Sequence, residues 1–153
     1  MLWEWLSGLQ AAVWAALIGA LIGSLAAYVL RKIEELRRRQ RELRGLRRLL
    51  DVETGYNEEI LNTYSERPDQ VADPYRRRLS TRAWDKTSVR LTQILKDDEL
   101  LEDLAEYYEE IRAIAEYARY PEHTPVTKQQ VVPDLLPRAI SLSNRVRPRL
   151  KDR

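Results

Sequence analysis

The sequence predicts an all-α protein made of one N-terminal transmembrane helix, a basic juxtamembrane helix and a small cytoplasmic helical bundle. Residues 11–30 are twenty consecutive positions without a charged side chain. Nine Lys or Arg residues against three acids follow between residues 31 and 48, a net charge of +6 beside the uncharged run. Farther on, apolar residues recur at three- and four-residue spacings, the period of an amphipathic helix. The whole-chain values, 44% hydrophobic and 33% charged over 153 residues, average these unlike parts. Zero Cys excludes disulfide frameworks, thiolate metal sites and cysteine nucleophiles. A single His leaves almost nothing for zinc or triad chemistry, so the expectation is no enzyme, no cofactor and no metal site.

The first element is the anchor, residues 1–30. At ~1.5 Å per residue, its uncharged run covers the ~30 Å hydrocarbon thickness of a bilayer. Ser24-Leu25-Ala26 loosely resembles a signal-peptide cleavage site. The segment before the run, however, carries Glu4 and no basic side chain, and Arg31 and Lys32 follow at once, which predicts an uncleaved anchor. The charge asymmetry across the span predicts a single-pass protein of the cell membrane with its amino terminus outside and its bulk cytoplasmic. Trp3 and Trp5 at one end and Tyr28 at the other suit the two interfaces. Ala15, Gly19, Gly23 and Ala27 fall on every fourth residue, a small-residue face that lets a second helix approach closely and predicts a homo-oligomer. The span holds no ionisable side chain, so an ion path or proton relay is not marked.

The second element, residues 31–50, continues the helix. Val29, Ile33, Leu36, Leu43, Leu46 and Leu50 form a narrow seam with Gln40 in the missing position, which suits a coiled coil or a helix packed on one partner. Glu34 with Arg38 and Glu35 with Arg39 add pairs worth ~0.3 to 0.5 kcal/mol each. Arg31, Lys32, Arg37, Arg38 and Arg39 are the candidate contacts to anionic lipid, each attracted by ~1 kcal/mol. Nucleic acid is disfavoured, because no aromatic interleaves these arginines and no reader fold is recognisable.

The third element, residues 51–120, is the helical domain. Val52, Tyr56, Ile60, Leu61 and Tyr64 share a face near Asn57 and Asn62, over a continuation or a second helix that Gly55 weakens. Pro68 and Pro74 break the periodicity. Ser80 or Thr81 is expected to cap a helix carrying Ala83, Trp84 and Val89, with Trp84 as the core anchor. The strongest helix is predicted over 98–119, with Leu100, Leu104, Tyr108 and Ile111 as core or partner anchors. Residues 97–122 hold ten acids against two arginines, a net −8. Glu102, Glu106, Glu109, Glu110 and Glu116 are expected mostly on a solvated face opposite the apolar one. The fourth element, residues 121–153, is proline-punctuated. It holds a predicted helix over 135–147 bearing Leu136, Ile140, Leu142 and Val146, and a basic tail of net +5 expected to fray beyond Pro148. His123 reads as an incidental loop residue.

Leu50 to Leu61 with its central Asn57, the Ser80-Thr81-Arg82-Ala83-Trp84 entry, and the Leu- and Tyr-rich stretch from Leu100 to Tyr108 together resemble a recurring pattern. It is that of an uncharacterised family of small prokaryotic single-pass membrane proteins with a cytoplasmic helical domain. The resemblance implies architecture and attaches no activity. The function these readings imply is a non-enzymatic membrane-tethered scaffold or adaptor that self-associates, contacts the lipid bilayer and meets a cytoplasmic protein partner. Blocks of +6, −8 and +5 would steer helices or subunits into register. The alternative is a small oligomeric, holin-like pore, with Gln10, Ser24 and glycine backbone as its polar lining.

Overall fold

The computed structural model describes residues 2–71, 78–120 and 131–151, with side chains from residue 13 onward except Ala15 and Gln70. Among the described residues the chain is all-helical. Helix α1 spans Leu2–Glu66, a 3₁₀ turn Pro68–Gln70, α2 Arg82–Ile94 and α3 Asp98–Arg119; a π turn, Val131–Leu135, runs into α4, Leu136–Lys151. The side chains of Ala15, Trp3 and Trp5, and the whole of His123, lie outside the described residues.

α1 is 65 residues long because proline first appears at Pro68. Gly55 does not interrupt it, and residues 51–65 are the continuation of one helix. The chain divides into two compact units, residues 1–41 and 42–153. In the first unit every described side chain of α1, residues 13–41 without Ala15, is exposed. Leu21 is 69% exposed, Ile22 64% and Leu25 63%, so its apolar side chains make no core of their own. An 18-residue window within Ala16–Glu66 is apolar enough to cross a membrane, and none of it is buried within the chain. Gly19 and Gly23 have no atom within 4 Å of a built Cβ position, and Ala27 is exposed. The Ser24 hydroxyl donates to the Leu21 carbonyl at 2.9 Å, a local bond that satisfies the hydroxyl within its own helix.

The second unit holds the core. Leu50, Ile60, Leu61 and Tyr64 come from α1, Leu91 from α2, Leu100 to Tyr117 from α3, and Leu136 to Leu150 from α4. Each fully buried Leu or Ile contributes about 1.5–3 kcal/mol of transfer free energy. The seam predicted below the membrane splits at the boundary of the units: Leu43 and Leu46 pack against this core and Leu50 is fully buried, while Val29, Ile33 and Leu36 stay exposed. Its lower half is therefore filled by this chain's own helices.

The expected fraying beyond Pro148 is not observed: α4 continues to Lys151. Pro148 removes one helical hydrogen bond, and two contacts on the far side hold the last turn in place. Leu150 is buried at 4% exposure, and the Arg149 guanidinium reaches Asp97 at 2.6 Å, Asp103 at 3.3 Å and Glu99 at 3.3 Å.

Candidate functional site

The best-defined polar constellation in the second unit starts from two residues one turn apart on α1. Glu53 and Asn57 sit at i and i+4, on the face turned toward the start of α2, and both are buried. Asn57 grips the backbone of Ser80 at both ends: its Nδ2 donates to the Ser80 carbonyl at 2.7 Å, and the Ser80 amide donates to its Oδ1 at 2.8 Å. Glu53 accepts the Ser80 hydroxyl at 2.7 Å and the Ala83 amide at 2.9 Å on one oxygen, and the Trp84 amide at 3.2 Å on the other. The free amides that open α2 are thus capped by a carboxylate from another helix, where its charge also complements the helix dipole.

This corrects the expectation that Ser80 or Thr81 caps α2. Thr81 holds the N-cap position without a side-chain cap bond, and its hydroxyl donates instead to Asp85 at 2.7 Å. Ser80 contributes one long contact, accepting from the Arg82 amide at 3.4 Å. Asp85 also receives Arg112. The Thr81 hydroxyl first, and Arg112 after it, hold the Asp85 carboxyl below its usual range.

Trp84, once capped, lays its indole on Tyr108 with ring centroids 5.1 Å apart and planes 7° from parallel. Tyr108 meets Tyr107 edge-on at 5.0 Å and 76°. Trp84 is only partly buried, so the fully buried anchors of the domain are the two tyrosines, with Leu100, Leu104 and Ile111 beside them. Of the expected anchors Leu100, Leu104, Tyr108 and Ile111 are fully buried and Trp84 only partly; Tyr107, outside that set, is fully buried as well. Burial pushes the Tyr107 and Tyr108 phenols well above their ordinary pKa. Neither hydroxyl, nor those of Thr54 and Ser143, has a hydrogen-bond partner among the described residues.

The acidic helix does not present all its carboxylates to solvent. Asp103 and Glu110 are buried, and Arg138 on α4 reaches both Glu106 and Glu110, at 2.5 and 3.1 Å. Arg145 reaches Asp103 at 3.3 Å. The −8 and +5 blocks meet within one chain, because α3 and α4 pack side by side. Burial raises the Glu110 pKa, against the pull of Arg138. Among the described residues no three His, Asp or Glu side chains converge as metal ligands.

Beside the Glu53 and Asn57 clamp lies an open groove of about 870 Å³, between α1 and the entry to α2. Its apolar lining includes Leu49, Val52 and Tyr56 of α1. Leu49 is 54% and Val52 65% exposed, high values for apolar residues in a folded unit. Its rim carries Arg78, Arg82, Lys86 and Arg119, all exposed and none with an acidic partner among the described residues. Glu53, the one acid in the lining, is spent on the α2 amides. Elsewhere in this unit Arg90 is paired with Glu42, Arg112 with Asp85 and Arg147 with Glu58.

Of the expected lipid contacts, Arg31, Lys32, Arg37, Arg38 and Arg39 are all exposed on α1 in the first unit. Lys32 and Arg39 both pair with Glu35, at 3.5 and 2.6 Å, so the expected Glu35 with Arg39 pair is formed. Sequence reasoning missed Glu53 as a cap and the Arg78 to Arg119 rim. The available signal for the first was Glu53 one turn before Asn57, ahead of a helix entry whose own caps are weak. No family model, curated protein or solved structure matches this chain.

Proposed function

We propose that this chain is a non-enzymatic, membrane-tethered scaffold or adaptor that self-associates, with its amino terminus outside and residues 42–153 in the cytoplasm. One observation carries the reading: the first unit holds an apolar helical window none of which is buried, whereas the second unit has a core of its own. Leu21, Ile22 and Leu25 exposed in water would form an aggregation-prone stripe, and a bilayer is the solvent that removes that cost. Backbone polarity is no obstacle, since a continuous helix satisfies its own amides. The exposed Arg31 to Arg39 cluster then lies beside anionic headgroups and sets the orientation. The resemblance to small single-pass membrane proteins supports the same architecture, with Asn57 and the Ser80 to Trp84 entry, its two quoted features, joined by hydrogen bonds.

The experiment is protease protection on inverted membrane vesicles, with epitope tags at both ends. The C-terminal tag is expected to be cleaved and the N-terminal tag protected, and the chain to resist extraction at alkaline pH. Release of the intact chain by the alkaline wash, or the opposite tag pattern, would overturn the tether or its orientation.

A further inference from the structure

We propose that the cationic groove is the docking site for the outer face of α3 from a second copy of this chain. Among the described residues of the second unit, two surfaces are left without partners of opposite charge, and they are opposite in sign. The first is the groove, with Arg78, Arg82, Lys86 and Arg119 around exposed Leu49 and Val52. The second is a line of acids on α3. At about 100° per residue, Asp98, Glu102, Glu109 and Glu116 fall within about 40° of one line, and at ~1.5 Å per residue the line is about 27 Å long. All four are exposed, and none has a cationic partner among the described residues. The other acids of the helix are already taken, Asp103 by Arg145 and Arg149, Glu106 and Glu110 by Arg138.

The two surfaces cannot meet within one molecule, because Arg119 of the groove rim is the last residue of α3 itself. A straight helix does not fold its outer face into a groove at its own end. They can meet between molecules, α3 of one copy lying along the groove of the next, with Leu49 and Val52 covered by the helix and by its Ala105 and Ala113. Such a contact joins two different surfaces, so it is satisfied either reciprocally in a two-fold pair or head to tail in rings and open arrays. The inference deepens the self-association reading above: copies held in one membrane share a high effective concentration, and a weak, salt-sensitive contact then suffices.

The test uses the full chain in phosphatidylcholine vesicles, with energy transfer between labelled copies as the readout of association. One variant reverses the groove, Arg82→Glu with Lys86→Glu; a second reverses the face, Glu102→Arg with Glu109→Arg. Each alone should associate at least tenfold more weakly than the parent chain, and raised salt should weaken the parent in the same direction. Mixed together, the two variants should recover association, since the unaltered groove of one then faces the unaltered acidic helix of the other. The mixture also answers the objection that a variant has misfolded. Unchanged association in both variants overturns the proposal, as does loss in each without recovery in the mixture. A Gly19→Ile, Gly23→Ile chain separates this from the broader reading: if only that chain dissociates, the span drives assembly and the groove does not. If the groove reversal leaves association intact but abolishes binding to anionic vesicles, the occupant is lipid and the proposal fails. Monomer throughout removes both readings.

Discussion

At the residue scale, Glu53 does at α2 what a serine or aspartate usually does from within the same strand of sequence. A carboxylate accepting one hydroxyl and two amides has both oxygens engaged, and a donor in place of either oxygen would face another donor. Glu53→Gln keeps the size but turns one oxygen into an amide NH2 group facing those donors. It should cost about 1.5–3 kcal/mol, the range for a hydrogen-bonded charged group, read by denaturant unfolding of the full chain in detergent. A loss below about 0.5 kcal/mol would show that the cap carries little. Gly55 is the second residue with a specific reason. A Cβ there would lie 2.9 Å from the Arg147 guanidinium, which crosses it to reach Glu58 and Asp51. Glycine in a helix interior is about 1 kcal/mol worse than alanine, so Gly55→Ala should stabilise the chain by about that amount once Arg147→Ala has cleared the space. In the parent background the gain should be smaller, and the double-mutant cycle reads the difference. Glu53 and its partners were hard to read from sequence for a plain reason. The bonds join residues 27 to 31 positions apart, and local cap rules look only within one turn.

At the element scale, α4 shows how a sequence rule is overridden by packing. Proline at position 148 and a run of basic residues read as an unravelling end, and each alone argues correctly. What reverses the outcome is a buried Leu150 and an arginine among three carboxylates. Leu150→Ala should cost about 2–4 kcal/mol by leaving a cavity at the end of the core, measured as a lower denaturation midpoint with an unchanged slope. A cost near zero would mean the last turn is dispensable. The start of α3 is held by the same contact. Asp97 accepts the Leu100 amide at 3.1 Å and receives Arg149, and both lower its pKa, the amide first. Helix boundaries here were legible: the predicted 98–119 is the observed Asp98–Arg119, because its acidic start, N-cap aspartate and broad apolar face agree. Of the acids predicted on a mostly solvated face, Glu106 and Glu110 were the exceptions, since Arg138, which covers both, lies on another helix, 32 residues beyond Glu106.

At the scale of the whole molecule, the two buried phenols make stability depend on alkaline pH. In the unfolded chain a tyrosine titrates near its ordinary value of 10.0, while burial holds Tyr107 and Tyr108 protonated well beyond it. The folded state then binds more protons than the unfolded one above about pH 10, so stability falls as pH rises through that range and is unaffected below it. Each phenol can contribute up to ~1.4 kcal/mol per pH unit. Tyr108→Phe should keep or slightly raise stability near neutral pH, because it removes a buried hydroxyl without a hydrogen-bond partner among the described residues, and should make the alkaline decline shallower. An identical alkaline slope in the variant would place the sensitivity elsewhere. Charge, too, acts at this scale: the near-neutral total of +2 conceals blocks that are partly consumed in joining α3 to α4 and partly left over on the groove and the outer face of α3.

Sequence alone determined the helical class, the long apolar N-terminal helix and the placement of α3, because each depends on local period, length and caps that a single stretch of chain contains. Tertiary structure decided which polar residues meet. Glu53 became a cap, the lower seam became core, Pro148 stayed inside a helix, and four cations came together around a groove. Hydrogen bonds and ion pairs are short-range in space but indifferent to separation along the chain, so their partners are chosen only when the helices pack.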